Sequence, residues 1–326
     1  MGSSPPAPAR PAAARTEETP SRPEGWPGHV AVHLGAHKTA STHFQKGLRR
    51  GRAAFDAAGV ALYTPTELRR AGEKLKDRVG LSYVRGGHRK DWSPAMMART
   101  AQGHARLVIS EENILGQMSG ARGRHEAQLY PEAGARVAAL AEAVAPLPLS
   151  LFLTIRDPAG YLTSAWSQSL YGGFGESFDT FVERIPLHGV DWAGLVERLL
   201  AVPRVEGVTV WRKEDYPAVA VQAANALAGA EIARADQFDH AALHPALSAR
   251  GAAHALAAPR GKARAKAAGE ARHLFPIGPD NPPLRPFDAE LQALGAEFYA
   301  AQWRRLQAMP QVRCLEPSGL PEAQGG

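Results

Sequence analysis

The stretch HVAVHLGAHKTASTHFQ, His29 to Gln45, reads as a buried strand, a glycine turn and the start of a helix. Val30 to Leu34 is a short, mostly apolar run of the kind that forms an inner parallel strand. Gly35 ends it by permitting backbone angles that other residues resist. The helix is expected to start near Ser41 or Thr42, because Phe44, Leu48 and Phe55 then recur on one face. Gly59 supplies the stop, just before a second apolar run, Val60 to Tyr63. A strand that feeds a helix through a glycine turn points unpaired backbone N–H groups at one spot, where the helix dipole also favours negative charge. Lys38 adds a full positive charge there, and Thr39, Ser41 and Thr42 add hydroxyl donors. The pattern predicts a ligand carrying phosphate or a similar oxyanion. It is not the nucleotide-triphosphate loop G-x-x-x-x-G-K-[ST], since Lys38 follows Gly35 by only three residues and no further glycine precedes it within the loop.

Outward from this loop, three more runs read as strands, and each leaves polar residues at its carboxyl end. Arg106 to Ser110, RLVIS, runs into Glu111, Glu112 and Asn113. Leu149 to Ile155, LSLFLTI, is the most apolar and ends in Arg156-Asp157-Pro158, where Asp157 suits a helix N-cap and Pro158 the first helical turn. Ser164 then lies about two turns into that helix. Gly207 to Trp211, GVTVW, reads as the last parallel strand and ends in Arg212, Lys213, Glu214 and Asp215. Helices are expected over Glu67 to Val79, over Ala95 to Gln102 behind the cap Ser93-Pro94, over Pro131 to Val144, and over Asp191 to Ala201. A closing helix, Asp288 to Met309, should bury Leu291, Leu294, Phe298 and Leu306. Arg85 to Lys90 and Ala121 to His125 read as basic loops. Strands alternating with helices imply an α/β, P-loop-like three-layer fold with a central parallel sheet and helices on both faces. Ligands in such sheets bind outside the carboxyl ends of the strands, so Glu111, Glu112 and Arg156 are placed on the ligand side. The alternative reading is that one or both glutamates cap the segment that follows.

The 326 residues suit one large α/β domain, expected over 26–316, with a disordered Pro/Ala-rich tail at 1–25 and a flexible C-terminal tail at 317–326. A net charge of +6 points to an anionic partner, but the arginines are spread along the chain without a dominant basic block, which favours an anionic small molecule over nucleic acid. The single cysteine, Cys314, excludes an internal disulfide and a cysteine-rich metal site. No apolar run is long enough for a transmembrane helix, and the N-terminus lacks a signal-peptide core, so a cytoplasmic protein without an integral membrane segment is expected. His33, His37 and His43 span strand, loop and helix with no regular ligand spacing, and no metal is expected. Arg260 to Arg272, RGKARAKAAGEAR, sets five basic residues against one acid. It reads as a solvated helical face, with closure over an anion as the alternative.

The loop GAHKTAST resembles the 5′-phosphosulfate loop, KTGTT or KSGTT, of sulfotransferases that use 3′-phosphoadenosine 5′-phosphosulfate (PAPS). Ala40 stands where that pattern has glycine, which is harmless if the residue is helical and costly if it needs positive φ. Arg156 and Ser164 reproduce a second element of the family, an arginine at a strand end and a serine eight residues later that hold the 3′-phosphate of PAPS. The resemblance covers about His29 to Tyr171 and fades beyond. It implies PAPS as sulfuryl donor, bound by Gly35, His37, Lys38, Thr39, Ala40, Ser41, Thr42, His43, Arg156 and Ser164. It also implies Lys38 as the residue neutralising charge on the leaving phosphate, and Glu111 or Glu112 as the base, as in carbohydrate-directed members; His37 is the next candidate. The implied acceptor is a hydroxyl or amine of a carbohydrate, glycolipid or small metabolite. Two other readings are a nucleotide-dependent P-loop kinase, for which neither a full Walker loop nor its acidic strand end is present, and a non-catalytic nucleotide-binding protein of the same fold.

Overall fold

The computed structural model of the chain describes residues 22–84, 87–90, 94–118, 128–240 and 246–317. Eight strands are named in chain order: β1 (His29–His33), β2 (Val60–Tyr63), β3 (Leu81–Val84), β4 (Gly87–Lys90), β5 (Arg106–Ser110), β6 (Leu149–Ile155), β7 (Val205–Arg212) and β8 (Val312–Leu315). Six of them form one sheet in the order β2-β5-β1-β6-β7-β8, with every neighbouring pair parallel. Parallel strands are covered on both faces, which is why β5 and β6 read as continuous apolar runs rather than alternating ones. Side chains still divide by pleat. Val30, Val32, Leu107, Ile109, Leu151 and Leu153 pack on one face beneath the helices Ala133–Ala143, Pro158–Tyr171, Trp192–Leu200 and Ala289–Gln307. Ala31, Val108 and Phe152 pack on the other, beneath Ser41–Arg50 and Tyr216–Ala228.

The chain leaves β1 for the edge strand β2 and returns to lie beside β1 as β5, while β6 to β8 build the opposite half. The order therefore reverses around β1, and the crevice beyond its carboxyl end is where such sheets bind ligands. Backbone bonds hold the strand ends in register there: Leu34 N donates to Phe152 O at 2.9 Å, and Glu111 N to His33 O at 3.1 Å.

The structure departs from the sequence reading in four places. β7 is not the last parallel strand, because β8 adds beyond it. Its four residues are too short a run to separate from a loop by periodicity. The helix expected over Glu67 to Val79 is two short pieces, Pro65–Leu68 and Leu75–Val79, interrupted at Gly72 with φ 76°. Part of the expected Arg85 to Lys90 loop is β4, which pairs antiparallel with β3. The closing helix buries Tyr299, Trp303 and Leu306, whereas Leu291 and Leu294 are 42% and 54% exposed. Residues 1–21 and 318–326 of the expected tails, Ser93, and the basic loop Ala121 to His125 lie outside the described residues. Among the described residues no helix is long and apolar enough to cross a membrane.

Candidate functional site

The turn after β1 is built on three left-handed residues: Gly35 at φ 41°, Lys38 at φ 67° and Ala40 at φ 68°. Gly35 has no alternative, because a Cβ there would lie 2.7 Å from His33 Cε1 and 3.0 Å from Ser41 Oγ. Ala40 occupies the N-cap of the Ser41–Arg50 helix in that conformation, with no side-chain cap. Of the two possibilities open for this alanine, the structure adopts the costly one. Left-handed alanine carries about 1–2 kcal/mol of strain, and glycine returns about 0.4–1 kcal/mol of that through its freer unfolded chain. Ala40→Gly should therefore stabilise the protein by about 0.5–1 kcal/mol and raise Tm by roughly 2 °C. A melting curve of the variant at or below that of the parent contradicts the strain.

Among the described residues, the five successive backbone N–H groups from Lys38 to Thr42 donate to no acceptor in the protein. A run of free N–H groups at a left-handed turn and a helix N-terminus is an anion cradle. The hydroxyls are divided. Thr39 Oγ1 and Ser41 Oγ both donate to Ala36 O, at 2.6 and 2.9 Å, so their hydrogens hold the loop together. Thr42 is exposed at the mouth and has no such tie. Lys38 Nζ donates to Gln168 Oε1 at 3.0 Å. Burial, with Arg156 and then Arg272 nearby, pulls its ammonium down to about 8.

The three histidines diverge. His33 is fully buried under the loop, bonded through Nδ1 to Ser110 Oγ at 2.7 Å, and burial pushes it down to about 4. His37 Nδ1 and its backbone N both meet Tyr130 Oη at 3.0 Å. Its pKa is lowered chiefly by burial, with Lys38 a lesser cause. His43 lies between Tyr216 Oη, 2.7 Å from Nδ1, and His240 O, 2.8 Å from Nε2. Among the described residues no three histidine, cysteine or acidic side chains are grouped as a metal would require.

Arg156 leaves the end of β6, and its Nη1 donates to Lys38 O at 2.9 Å, which ties the two strand ends together. Asp157 caps the Pro158–Tyr171 helix, accepting from Gly160 N at 2.6 Å. That cap aims the helix along the crevice. Gly160 lies against the Arg156 guanidinium, and Ser164, Gln168 and Tyr171 follow on the same face at helical spacing. After β5 the two glutamates part. Glu111 is buried, accepts from Asn113 N and Asn113 Nδ2 at 3.1 and 2.6 Å, and meets Arg69 Nη2 at 3.1 Å. Glu112 accepts from Gln45 Nε2 at 2.9 Å and Arg69 Nη2 at 2.8 Å while lining the crevice. Burial raises its pKa, but the bonds from Gln45, its own backbone and Arg69 outweigh that and hold it below the usual carboxylate range.

These elements enclose a cavity of about 1400 Å³ at the carboxyl ends of β1, β5, β6 and β7. His37, Lys38, Ala40, Ser41, Thr42, His43, Glu112, Arg156 and Ser164 all face it. Gly35, Thr39 and Glu111 do not; they shape the backbone that carries the others. Gln168, Lys213, Tyr171 and Arg272 also line it; none was assigned to the site in the sequence. Lys213 had a usable signal, since it follows β7 as Arg156 follows β6. Arg272 had a weaker one, as the last residue of the basic run Arg260 to Arg272, whose alternative reading was closure over an anion. That segment is also not a uniformly solvated face: Arg264 is buried and donates to the backbone carbonyls of Gly175, Leu256 and Ala258.

No protein-family model matches the chain, and no curated protein matches it. A sulfotransferase from Alicyclobacillus acidocaldarius, known from its crystal structure, is similar at 14% identity, over 86% of this chain and 94% of that one, with a TM-score of 0.38. At that identity and score the likeness carries no argument about chemistry.

Proposed function

We propose that the protein is a PAPS-dependent sulfotransferase acting on a hydroxyl or amine of a carbohydrate or glycolipid. The supporting observation is the free N–H run of Lys38 to Thr42, set in one cavity with Lys38 Nζ and, one helix face away, Arg156 and Ser164. An anion on the loop would satisfy backbone donors left free at the turn and the helix N-terminus, and Arg156 and Ser164 offer a second anion a place in the same cavity. The residues present fit a donor that carries two separated anionic groups, as PAPS does. When bound, PAPS would supply an electrophilic sulfur whose bond to the 5′-phosphate breaks as the acceptor oxygen or nitrogen attaches, leaving adenosine 3′,5′-bisphosphate.

The protein's share is positioning and charge. The loop N–H groups and Lys38 would hold the 5′ end and stabilise negative charge growing on the leaving oxygen. Arg156 and Ser164 would hold the 3′-phosphate, with Lys213 behind them, whose pKa is lowered by burial and by Arg156. Glu112 is the proposed base, receiving the acceptor's proton on Oε1 or Oε2, because it faces the cavity and Glu111 does not. His37 stands next to it as the second candidate.

Calorimetric titration with adenosine 3′,5′-bisphosphate and with adenosine 5′-phosphate tests the reading. The bisphosphate should bind about ten- to a hundredfold tighter, the worth of a charge-assisted arginine contact. Arg156→Ala should remove most of that preference, but it also frees Lys38 O and so loosens the loop for both ligands. Ser164→Ala lacks that side effect and should narrow the preference by a smaller factor. A wild-type protein that does not distinguish the two nucleotides overturns the proposal.

A further inference from the structure

The Pro158–Tyr171 helix acts as a ruler along the cavity. Its exposed face presents Gly160 against Arg156, then Ser164, then Gln168 bonded to Lys38 Nζ, then Tyr171 under Arg272. At 1.5 Å per residue, Ser164 and Tyr171 are separated by about 10 Å along the axis. If the donor's 3′-phosphate lies at Arg156 and Ser164 and its sulfuryl end at Lys38, then Tyr171 and Arg272 lie one turn further on, where the acceptor must approach.

Arg272 comes from the Lys262–Leu274 helix, which packs against the Pro158–Tyr171 helix. Its guanidinium sits 4.2 Å over the Tyr171 ring and within reach of that residue's hydroxyl, its buried Nε makes no hydrogen bond of good geometry, and no carboxylate pairs with it among the described residues. It is close enough to Lys38 to help depress the lysine's pKa. Arg285, exposed along the cavity, likewise has no carboxylate partner among the described residues. Of the three carboxylates that line the cavity, Glu112 is engaged by Arg69 and Gln45, Asp157 caps its helix, and Asp239 is exposed beside Arg50, whose Nη1 donates to its backbone carbonyl at 3.1 Å. Arg272 and Lys38, cations near enough in a half-buried space to feel each other, repel unless an anion lies beside them.

We propose that the acceptor is itself anionic, a hydroxylated compound bearing a carboxylate or a phosphate ester, and that Arg272 binds this group beside Lys38 as the specificity-determining residue. This rests on the sulfotransferase reading of the site. The Tyr171 ring fixes the guanidinium plane, and the Nε with its neighbouring terminal nitrogen offers the fork that suits either oxyanion. Neutral sugars would leave that charge uncompensated in the complex.

The test uses the full chain saturated with adenosine 3′,5′-bisphosphate and titrated calorimetrically with three glycosides of one scaffold: p-nitrophenyl β-D-glucoside, its 6-phosphate and p-nitrophenyl β-D-glucuronide. At least one anionic glycoside should bind about tenfold tighter than the neutral one, and the arm that does so tells phosphate from carboxylate. Arg272→Ala should reduce the preference to less than about threefold, Arg272→Lys should restore part of it, and affinity for the bisphosphate should change by no more than about twofold. Equal binding of all three glycosides overturns the inference. So does an Arg272→Ala variant that loses the bisphosphate instead, which would put the arginine on the donor. Failure of the wild type to bind the bisphosphate at all is a different result: it removes the sulfotransferase reading, and the inference with it.

Discussion

Lys38→Ala should lower kcat by a hundred- to a thousandfold, a loss of roughly 3–4 kcal/mol of transition-state stabilisation, while leaving Tm unchanged or slightly raised. The rate effect follows from position: the ammonium is the single full charge on the loop where the leaving oxygen would sit, held toward the cavity by Gln168. The stability effect follows from linkage. The folded pKa, about 8, lies below the value near 10.4 of an unfolded lysine, so over that interval the unfolded chain binds more protons and stability rises with pH. Below pH 8 the charged lysine therefore costs stability, and alanine removes the cost. The same depressed pKa sets a pH profile. If the ammonium is required, kcat/KM should fall as pH rises through about 8, whereas the limb in kcat should lie higher because bound anions favour the charged form. Steady-state kinetics across pH, with melting curves of both proteins, measure all of this. A variant with parental kcat removes Lys38 from the chemistry.

Glu112→Gln should lower kcat by about a hundredfold, the low end for loss of a general base, with little change in affinity for adenosine 3′,5′-bisphosphate. The low end applies because Arg69 and Gln45 hold the carboxylate below its usual pKa and make it a weak base. Its acid limb should accordingly lie below the ordinary carboxylate range, outside the neutral region. Glu111→Gln is the informative partner. It keeps an oxygen for the Asn113 cap but removes a buried charge from Arg69, so it should cost about 1–3 kcal/mol of stability and leave kcat near parental once folded. If Glu112→Gln retains full kcat and His37→Gln does not, the base is the histidine.

The separation of these two adjacent glutamates illustrates where sequence reading ends. A polar pair after an apolar strand is legible because the strand's carboxyl end is legible. Which member turns inward is decided by Arg69 and Asn113, and by a short 3₁₀ turn at Glu112–Leu115 that no periodicity announces. The hydroxyls of the loop make the same point. Thr39, Ser41 and Thr42 are equivalent donors by composition, yet two of them are spent on Ala36 O, a bond that exists only because Lys38 and Ala40 turn left-handed around it.

By itself the sequence determined the parts of this protein whose causes are local. Apolar runs made β1, β2, β5 and β6, glycine at the end of β1 made the turn, and Asp157-Pro158 started the helix that carries Ser164, because strand burial, positive φ and capping act over a few residues. The strand–helix alternation was enough for a parallel three-layer sheet. Only the tertiary structure decided the order β2-β5-β1-β6-β7-β8, the edge strand β8, the buried face of the closing helix, and the arrival of Lys213 and Arg272 in the cavity with Lys38. Those outcomes depend on groups brought together from distant parts of the chain, where the balance of burial and charge is set by what each side chain meets and not by its neighbours in sequence.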